Sequence, residues 1–211
     1  MTLTLYAAPG SCAVAPAIAL CEAGADFEIH AVDYAVNEQR SPAFLAVNPK
    51  GRTPALVTDH GVLTENPAIL AYIAQLYPQA NLAPLDDPFA FARLQSFNAW
   101  ICSTLHPAFA HIFRPTRYAD GEGHQAEVRR KGIEQVNDAF RMAEDEFFDG
   151  PWAVGERYTL ADPYLYVMTS WLPRADLRQV DAYPKIAEHY ARMRARPAVA
   201  EARARLGMPP P

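Results

Sequence analysis

The sequence is poor in cysteine, in positive charge and in long apolar runs. Its 211 residues include three cysteines, Cys12, Cys21 and Cys102. An odd count at irregular spacing makes no disulfide framework and suits a reducing compartment, where thiols stay free. Acidic residues outnumber basic ones, 24 to 19, for a net charge of −5. A mildly acidic balance argues against a nucleic-acid partner, which calls for a basic face. No stretch approaches the roughly 20 uncharged residues that span a bilayer. The opening MTLTLYAAPGSC lacks the basic start and apolar run of a secretory signal. No internal repeat is present. These absences predict a cytoplasmic protein with no membrane and no nucleic-acid partner.

What is present is apolar bulk. Half of the residues are hydrophobic, enough for one large domain or two small ones. The first third mixes strand and helix signals. TLTLY (2–6) alternates and is rich in β-formers, as are FEIHAV (27–32), PALV (54–57) and VLT (62–64). CAVAPAIALCEAG reads as a helix stopped by Gly24. Pro16 is tolerable there only in the first turn, so this helix should begin near Ser11 or Cys12. SPAFLAVNPKG (41–51) is a short helical turn, and ENPAILAYIAQLY carries Ile69, Leu70, Ile73, Leu76 and Tyr77 at helical spacing.

PQANLAPLDDP (78–88) has three prolines and no period, and is expected to separate a domain over 1–78 from one over 88–211. Beyond it all segments read as helix. Residues 89–113 are apolar on more than one face, which calls for two packing partners: their own domain and a second subunit, hence a homodimer. Residues 123–148 are amphipathic, and 183–197 and 198–206 form two closing helices. In TLADPYLY, Thr159 and Asp162 have capping-box spacing.

The stretch PGSCAVAPA (9–17) carries the chemistry. A strand–turn–helix order puts Cys12 at a helix N-terminus, where unpaired amides favour negative charge. Such a thiol is expected to have a lowered pKa and to be partly thiolate near neutrality. The alternative is a small buried residue packing between strand and helix. A dithiol oxidoreductase needs C-x-x-C, whereas residues 12–15 read CAVA. A single thiol exchanges only with an outside thiol, and glutathione is the abundant one in a cytosol. Cys102, His106 and His111 lie at spacings of four and five, but two ligands make no metal site, so no metal is expected. Cys21 reads as core.

PGSC with its helix, FLAVNPKGRTPAL (44–56), LTENPAILAYIAQ (63–75), the histidine of STLHPAF (103–109) and YTLADPYLY (158–166) occur in an order that resembles the glutathione transferases, most of all their bacterial beta-like group. The resemblance covers nearly the whole chain. It implies an α+β fold: a thioredoxin-like N-terminal domain followed by an all-α helical bundle. It implies that Pro54 is cis and that Thr53 pairs its backbone with the cysteinyl part of glutathione. Ser11, Cys12, Arg52, Thr53, Pro54, Glu65 and Asn66 would bind the tripeptide. Glu65 would take its ammonium, while the helix amides and the Asn66 amide take its γ-glutamyl carboxylate. Cys12 and His106 are implied as catalytic. Trp171 and Phe109 would line the pocket for a small hydrophobic electrophile.

Three positions depart from the family's pattern. Pro107 stands where relatives often carry lysine, Ala13 where they often carry serine, and Ala7 near the tyrosine of other transferases. Without a hydroxyl, the sulfur of glutathione would depend on the helix terminus, Cys12 and His106, which leans toward thiol exchange. Three activities follow from the resemblance: conjugation of glutathione to an electrophile, thiol–disulfide exchange or peroxide reduction through Cys12, and non-catalytic binding.

Overall fold

The computed structural model describes residues 2–174 and 177–211; Met1, Ala175 and Asp176, inside the two expected domain ranges, lie outside the described residues. Four strands make one sheet in the order β2-β1-β3-β4. β1 (Leu3–Ala7) runs parallel to β2 (Phe27–Ala31), with Leu5 opposite Ile29. It runs antiparallel to β3 (Ala55–Thr58), with Leu5 opposite Leu56. β3 turns into β4 (Gly61–Thr64), pairing Thr58 with Gly61. Along β1 the pleat sends Leu3, Leu5 and Ala7 into the core and leaves Thr4 and Tyr6 half-buried.

α1 (Val14–Glu22) joins β1 to β2, and its residues from Val14 to Leu20 are all buried. A helix apolar all round must be covered on every side. Here α3 (Asn66–Leu76), α7 (Asp162–Thr169) and α9 (Pro197–Arg205) pack around it. Alanine at 15, 17 and 19 lets those helices approach. Ile18 and Leu20 supply full apolar burial, worth about 1.5–3 kcal/mol each. The helix begins two residues later than expected. Ser11 to Ala13 form a tight turn instead, in which Val14 N donates to Ser11 O and Ala15 N to Cys12 O, both at 3.2 Å. Pro16 thus falls in the first helical turn, where its missing N–H leaves no acceptor unpaired.

α2 (Pro42–Val47) is the short helical turn, capped by Ser41 Oγ accepting from Phe44 N. After the proline-rich stretch, Asp87 caps α4 (Pro88–Trp100) by accepting from Phe89 N and Ala90 N. The helix then widens to π geometry over Ile101–Leu105 before continuing as α5 (His106–Phe113). Pro107 is the reason. In an uninterrupted α-helix its ring would press on the Ser103 carbonyl and its missing N–H would leave that carbonyl unpaired, and a wider turn relieves both. α6 (Glu122–Met142) crosses α5 at Gly132, where a Cβ would meet His111 Cβ at 2.8 Å and Ile112 Cγ1 at 2.9 Å. It too ends in a π segment, Ala143–Phe147. α8 (Pro184–Arg194) and α9 close the chain. No helix among the described residues is long and apolar enough to cross a membrane.

Asp162 ties the helical layer together. One carboxylate oxygen accepts from Thr159 N (2.6 Å) and the Thr159 hydroxyl (3.3 Å), and the other from Ala153 N (2.8 Å) and His189 Nε2 (2.9 Å). Thr159 Oγ1 in return accepts from Ala161 N at 3.3 Å. The capping-box spacing read from TLAD therefore does its work at the start of α7. The connecting stretch is held by Leu160 N donating to Leu82 O (3.0 Å), and α1 is held to the helical layer by a two-pronged ion pair of Arg196 with Glu22.

Candidate functional site

The Cys12 turn precedes α1, which packs on α3 and α7, and Cys102 of the π segment lies nearby. Ser11 shapes that turn: its hydroxyl donates to Ala8 O at 2.7 Å and accepts from Ala13 N at 3.2 Å. Asn66, the first residue of α3, is buried, and its Nδ2 donates to Cys12 O at 3.1 Å. One N–H of this amide holds the Cys12 backbone, which leaves the second as the donor that a ligand carboxylate would use. The Asn66 Oδ1 is buried and has no partner among the described residues.

Cys12 is 8% exposed, and its Sγ donates to the Thr53 carbonyl at 3.6 Å. The expected low-pKa thiol is corrected too. Burial pushes the Cys12 thiol up to about 12; the nearby Cys102 adds to the rise, and the Cys12 backbone N–H and Asn66 only partly offset it. Desolvation disfavours the charged form more than the helix terminus favours it. Cys12 is a neutral S–H near pH 7.

Thr53 precedes Pro54 across a cis bond. Its Oγ1 lies 2.8 Å from Tyr34 Oη and 3.4 Å from Ser11 Oγ, so the three hydroxyls form one chain beside the Cys12 turn. Asn48 Nδ2 donates to Arg52 O at 2.6 Å, which fixes the backbone just before Thr53. The Arg52 side chain is exposed. Glu65 precedes α3 with φ of 73°, a left-handed value uncommon outside glycine. Its Oε1 accepts from Lys50 Nζ at 2.6 Å, and Lys50 also reaches Thr64 Oγ1. Both partners are about half exposed, so the pair is worth no more than about 1 kcal/mol and is exchangeable.

From the other layer, His106 opens α5 just after the π segment. Its Nδ1 is 3.2 Å from Tyr164 Oη, and its ring meets Trp171 edge-on at 5.3 Å between centroids. Burial pulls the imidazole down to about 4; Arg52 adds to this, Glu65 opposes it, and Arg117 contributes in the same sense as Arg52. His106 is thus a neutral imidazole near pH 7. Tyr164, whose hydroxyl burial holds well above its usual pKa, also neighbours Cys102 and Asn66. Cys12, Asn66, Cys102, His106 and Tyr164 form one polar cluster at the junction of the layers.

Trp171 is buried, and its Nε1 donates to Gly10 O at 3.0 Å, beside an Arg174 guanidinium bonded to the same carbonyl at 3.1 Å. Phe109 is corrected outright as a pocket-lining residue: it has no exposed surface and packs on Phe113, Phe140 and Trp171. It backs Trp171 from inside the core. Sequence reading missed Tyr34, Lys50 and Tyr164. Tyr164 stood inside the quoted YTLADPYLY stretch, and Lys50 inside FLAVNPKGRTPAL, but nothing in the sequence ties either to its partner. A cavity of about 380 Å³ lined by residues such as Leu85, Leu94, Arg157 and Tyr158 shares no residue with this cluster.

A mixed sheet of this order, a lone thiol in the turn before α1, a cis-proline beside it and a helical layer laid over α1 define a two-layer scaffold. The family models agree: the glutathione S-transferase N-terminal domain matches residues 1–75 and the C-terminal domain matches 99–197. A glutathione S-transferase of Escherichia coli O157:H7 is 32% identical over 95% of this chain and 96% of its own. A crystal structure of a glutathione transferase homologue from Sulfitobacter, with bound glutathione, superposes with a TM-score of 0.93 at 39% identity, covering 99% of both chains. A beta-class glutathione S-transferase of Sphingomonas chungbukensis gives 0.86 at 36% identity, covering 98% of this chain and all of that one. The chain belongs to the glutathione S-transferase family.

Proposed function

We infer that this glutathione transferase joins the sulfur of glutathione to a small electrophile, with Cys12 acting as a neutral hydrogen-bond donor. The observation that carries the reading is the burial of Cys12 as an S–H beside the first turn of α1. A protonated thiol stabilises a neighbouring thiolate and is a poor nucleophile itself. Conjugation is favoured over exchange through Cys12 for that reason. His106 is neutral, so it contributes a hydrogen bond and shape rather than charge. Its Nδ1 lies 3.2 Å from Tyr164 Oη, and that hydrogen bond fixes the orientation of the ring.

The tripeptide lies along the α1–α3 edge. Thr53 offers its backbone to the cysteinyl unit, held by the cis Pro54. Glu65 takes the ammonium, which replaces Lys50 as its partner, and the freed Lys50 then meets the neighbouring γ-glutamyl carboxylate. Amides at the start of α3 add their dipoles to that carboxylate. Arg52 and Ser11 flank the glycine end and the sulfur. Trp171 walls the second-substrate side. Held sulfur and electrophile replace a bimolecular encounter, which lowers the barrier without further chemistry from the protein.

The exposed apolar side chains Phe89 and Val62, 76% and 43% exposed, fit a second copy of the chain, and the enzyme is read as a cytoplasmic homodimer in detoxification. Sedimentation at the monomer mass of 23.3 kDa would remove the dimer. The activity itself is tested with a chromogenic aryl halide and, separately, a glutathione mixed disulfide. Turnover of the halide is expected, and turnover of the disulfide alone would replace conjugation by exchange.

A further inference from the structure

The chain is acidic overall, yet Arg52 and Arg117 lie close enough to His106 to act on it, and Arg114 and Arg40 stand near Arg117. Arg114 ends α5 and Arg117 closes the following turn, eight and eleven residues beyond His106. Arg52 approaches from the loop before β3 and Arg40 from the turn before α2. The Arg40 guanidinium lies over Gly51, with Nη1 2.8 Å from where a Cβ would stand, so it is held against the residue preceding Arg52. All four side chains are exposed, and none makes an ion pair or a side-chain hydrogen bond among the described residues. Four arginines elsewhere are matched by carboxylates: Arg93 with Asp149, Arg130 with Glu127, Arg141 with Asp138, Arg196 with Glu22. Glu65 is the acidic group that faces His106, and Lys50 already occupies it.

Like charges brought together without counter-charges raise the potential at that place and favour an anion there. The mutual effect is visible on Arg117, whose guanidinium is held below its usual range by burial first and then by Arg52, Arg114 and Arg40. Beside this rim stand aromatic walls. Phe113, half-buried, adjoins Arg114 and meets Trp171 at 6.1 Å between centroids, and Trp171 meets His106. Cation and ring together suit a flat molecule with one anionic end, because a guanidinium fork matches a carboxylate in two hydrogen bonds.

We propose that Arg114 and Arg117, with Arg40 across from them, make the second-substrate site of this enzyme selective for electrophiles that carry a carboxylate on an aromatic or conjugated frame. This rests on the transferase reading above and replaces a purely hydrophobic electrophile with an acidic one. For an aryl halide the step is a substitution: the glutathione sulfur forms the C–S bond, the C–Cl bond breaks, and chloride leaves with its electron pair. No oxidant or reductant is needed.

The test keeps binding apart from turnover. Protein saturated with S-methylglutathione, which cannot react, is titrated calorimetrically with meta-nitrobenzoate and with meta-nitrobenzamide, its neutral isostere. The proposal expects the acid to bind at least about 10-fold more tightly, with the difference shrinking at high salt. In the R114Q/R117Q variant it expects the acid to fall to within about 2-fold of the amide, while the affinities for the amide and for S-methylglutathione stay put. Equal affinity for acid and amide in the wild type overturns it. So does a double variant that weakens both alike. If the acid is lost only together with S-methylglutathione, the arginines serve the tripeptide's own carboxylates and the proposal fails. The transferase reading has its own control: a chloronitrobenzamide turned over with glutathione keeps that reading whatever the acid does, and absent turnover removes it even if the acid binds.

Discussion

At the scale of single residues, the site works through neutral groups placed where charge is expected. A helix terminus favours a partly ionised thiol at Cys12 and packing between strand and helix favours a small buried residue; the structure takes the second and holds the thiol protonated. The terminus is visible in the sequence; the burial is not, since it comes from Asn66, Cys102 and Tyr164, brought in from distant parts of the chain. Two expectations follow. Alkylation of Cys12 by iodoacetamide at about pH 7 should run at least 100-fold slower than that of a free cysteine. Cys12→Ala should lower kcat/KM for conjugation roughly 10- to 100-fold with glutathione affinity kept within a few-fold. Rapid labelling would contradict the first and an unchanged rate the second. His106 gives a pH signature. Its native pKa is near 4, below the unfolded value of about 6.5. Between those values the unfolded chain binds the extra proton, so stability falls as pH drops through that window, by up to about 3 kcal/mol. His106→Gln should flatten that part of the curve in denaturant titrations, and an unchanged slope would assign the loss elsewhere.

At the scale of elements, periodicity told most of the story and packing told the rest. The four strands and the apolar α1 were legible because alternation and an all-apolar helix each have one physical solution. Asp162 was legible as a capping residue because its partner Thr159 is local. The π segment before His106 was not, although Pro107, which causes it, was in plain sight: a proline says that a helix must yield, not how. Phe109 was misassigned because two faces of one apolar helix look alike until a neighbour covers one of them. The crossing of α5 and α6 at Gly132 is a further case, since nothing in a single helix announces a close approach. Alanine is the better helix former, yet Gly132→Ala should destabilise the protein by about 1–3 kcal/mol, because its methyl meets His111 and Ile112. A gain in melting temperature would show that the crossing is looser than described. Asp162→Ala should cost more than about 3 kcal/mol, since it leaves Thr159, Ala153 and His189 donors buried without an acceptor. A loss below about 1 kcal/mol by chemical denaturation would mean that water replaces the carboxylate.

At the scale of the whole molecule, the helical layer lies over α1 and the sheet layer. Trp171 and Arg174 reach across to the Gly10 carbonyl, and Arg196 grips Glu22, so the helical layer is fastened to the turn that carries Cys12 and to α1. A family of this architecture was recognisable from five short stretches; the charge state of its sulfur site was not, because that depends on how the two layers close over it. The account therefore rests on a bound sulfur that is ionised while Cys12 is not. The measurement that tests this most directly is the ultraviolet thiolate absorbance of the glutathione complex as a function of pH, in the wild type and in Cys12→Ala. The account predicts a thiolate that appears only with glutathione present, titrating below about pH 7 against about 8.5 for a free thiol, and shifting upward when Cys12 is replaced. A thiolate signal already present without glutathione, and lost in Cys12→Ala, would contradict it.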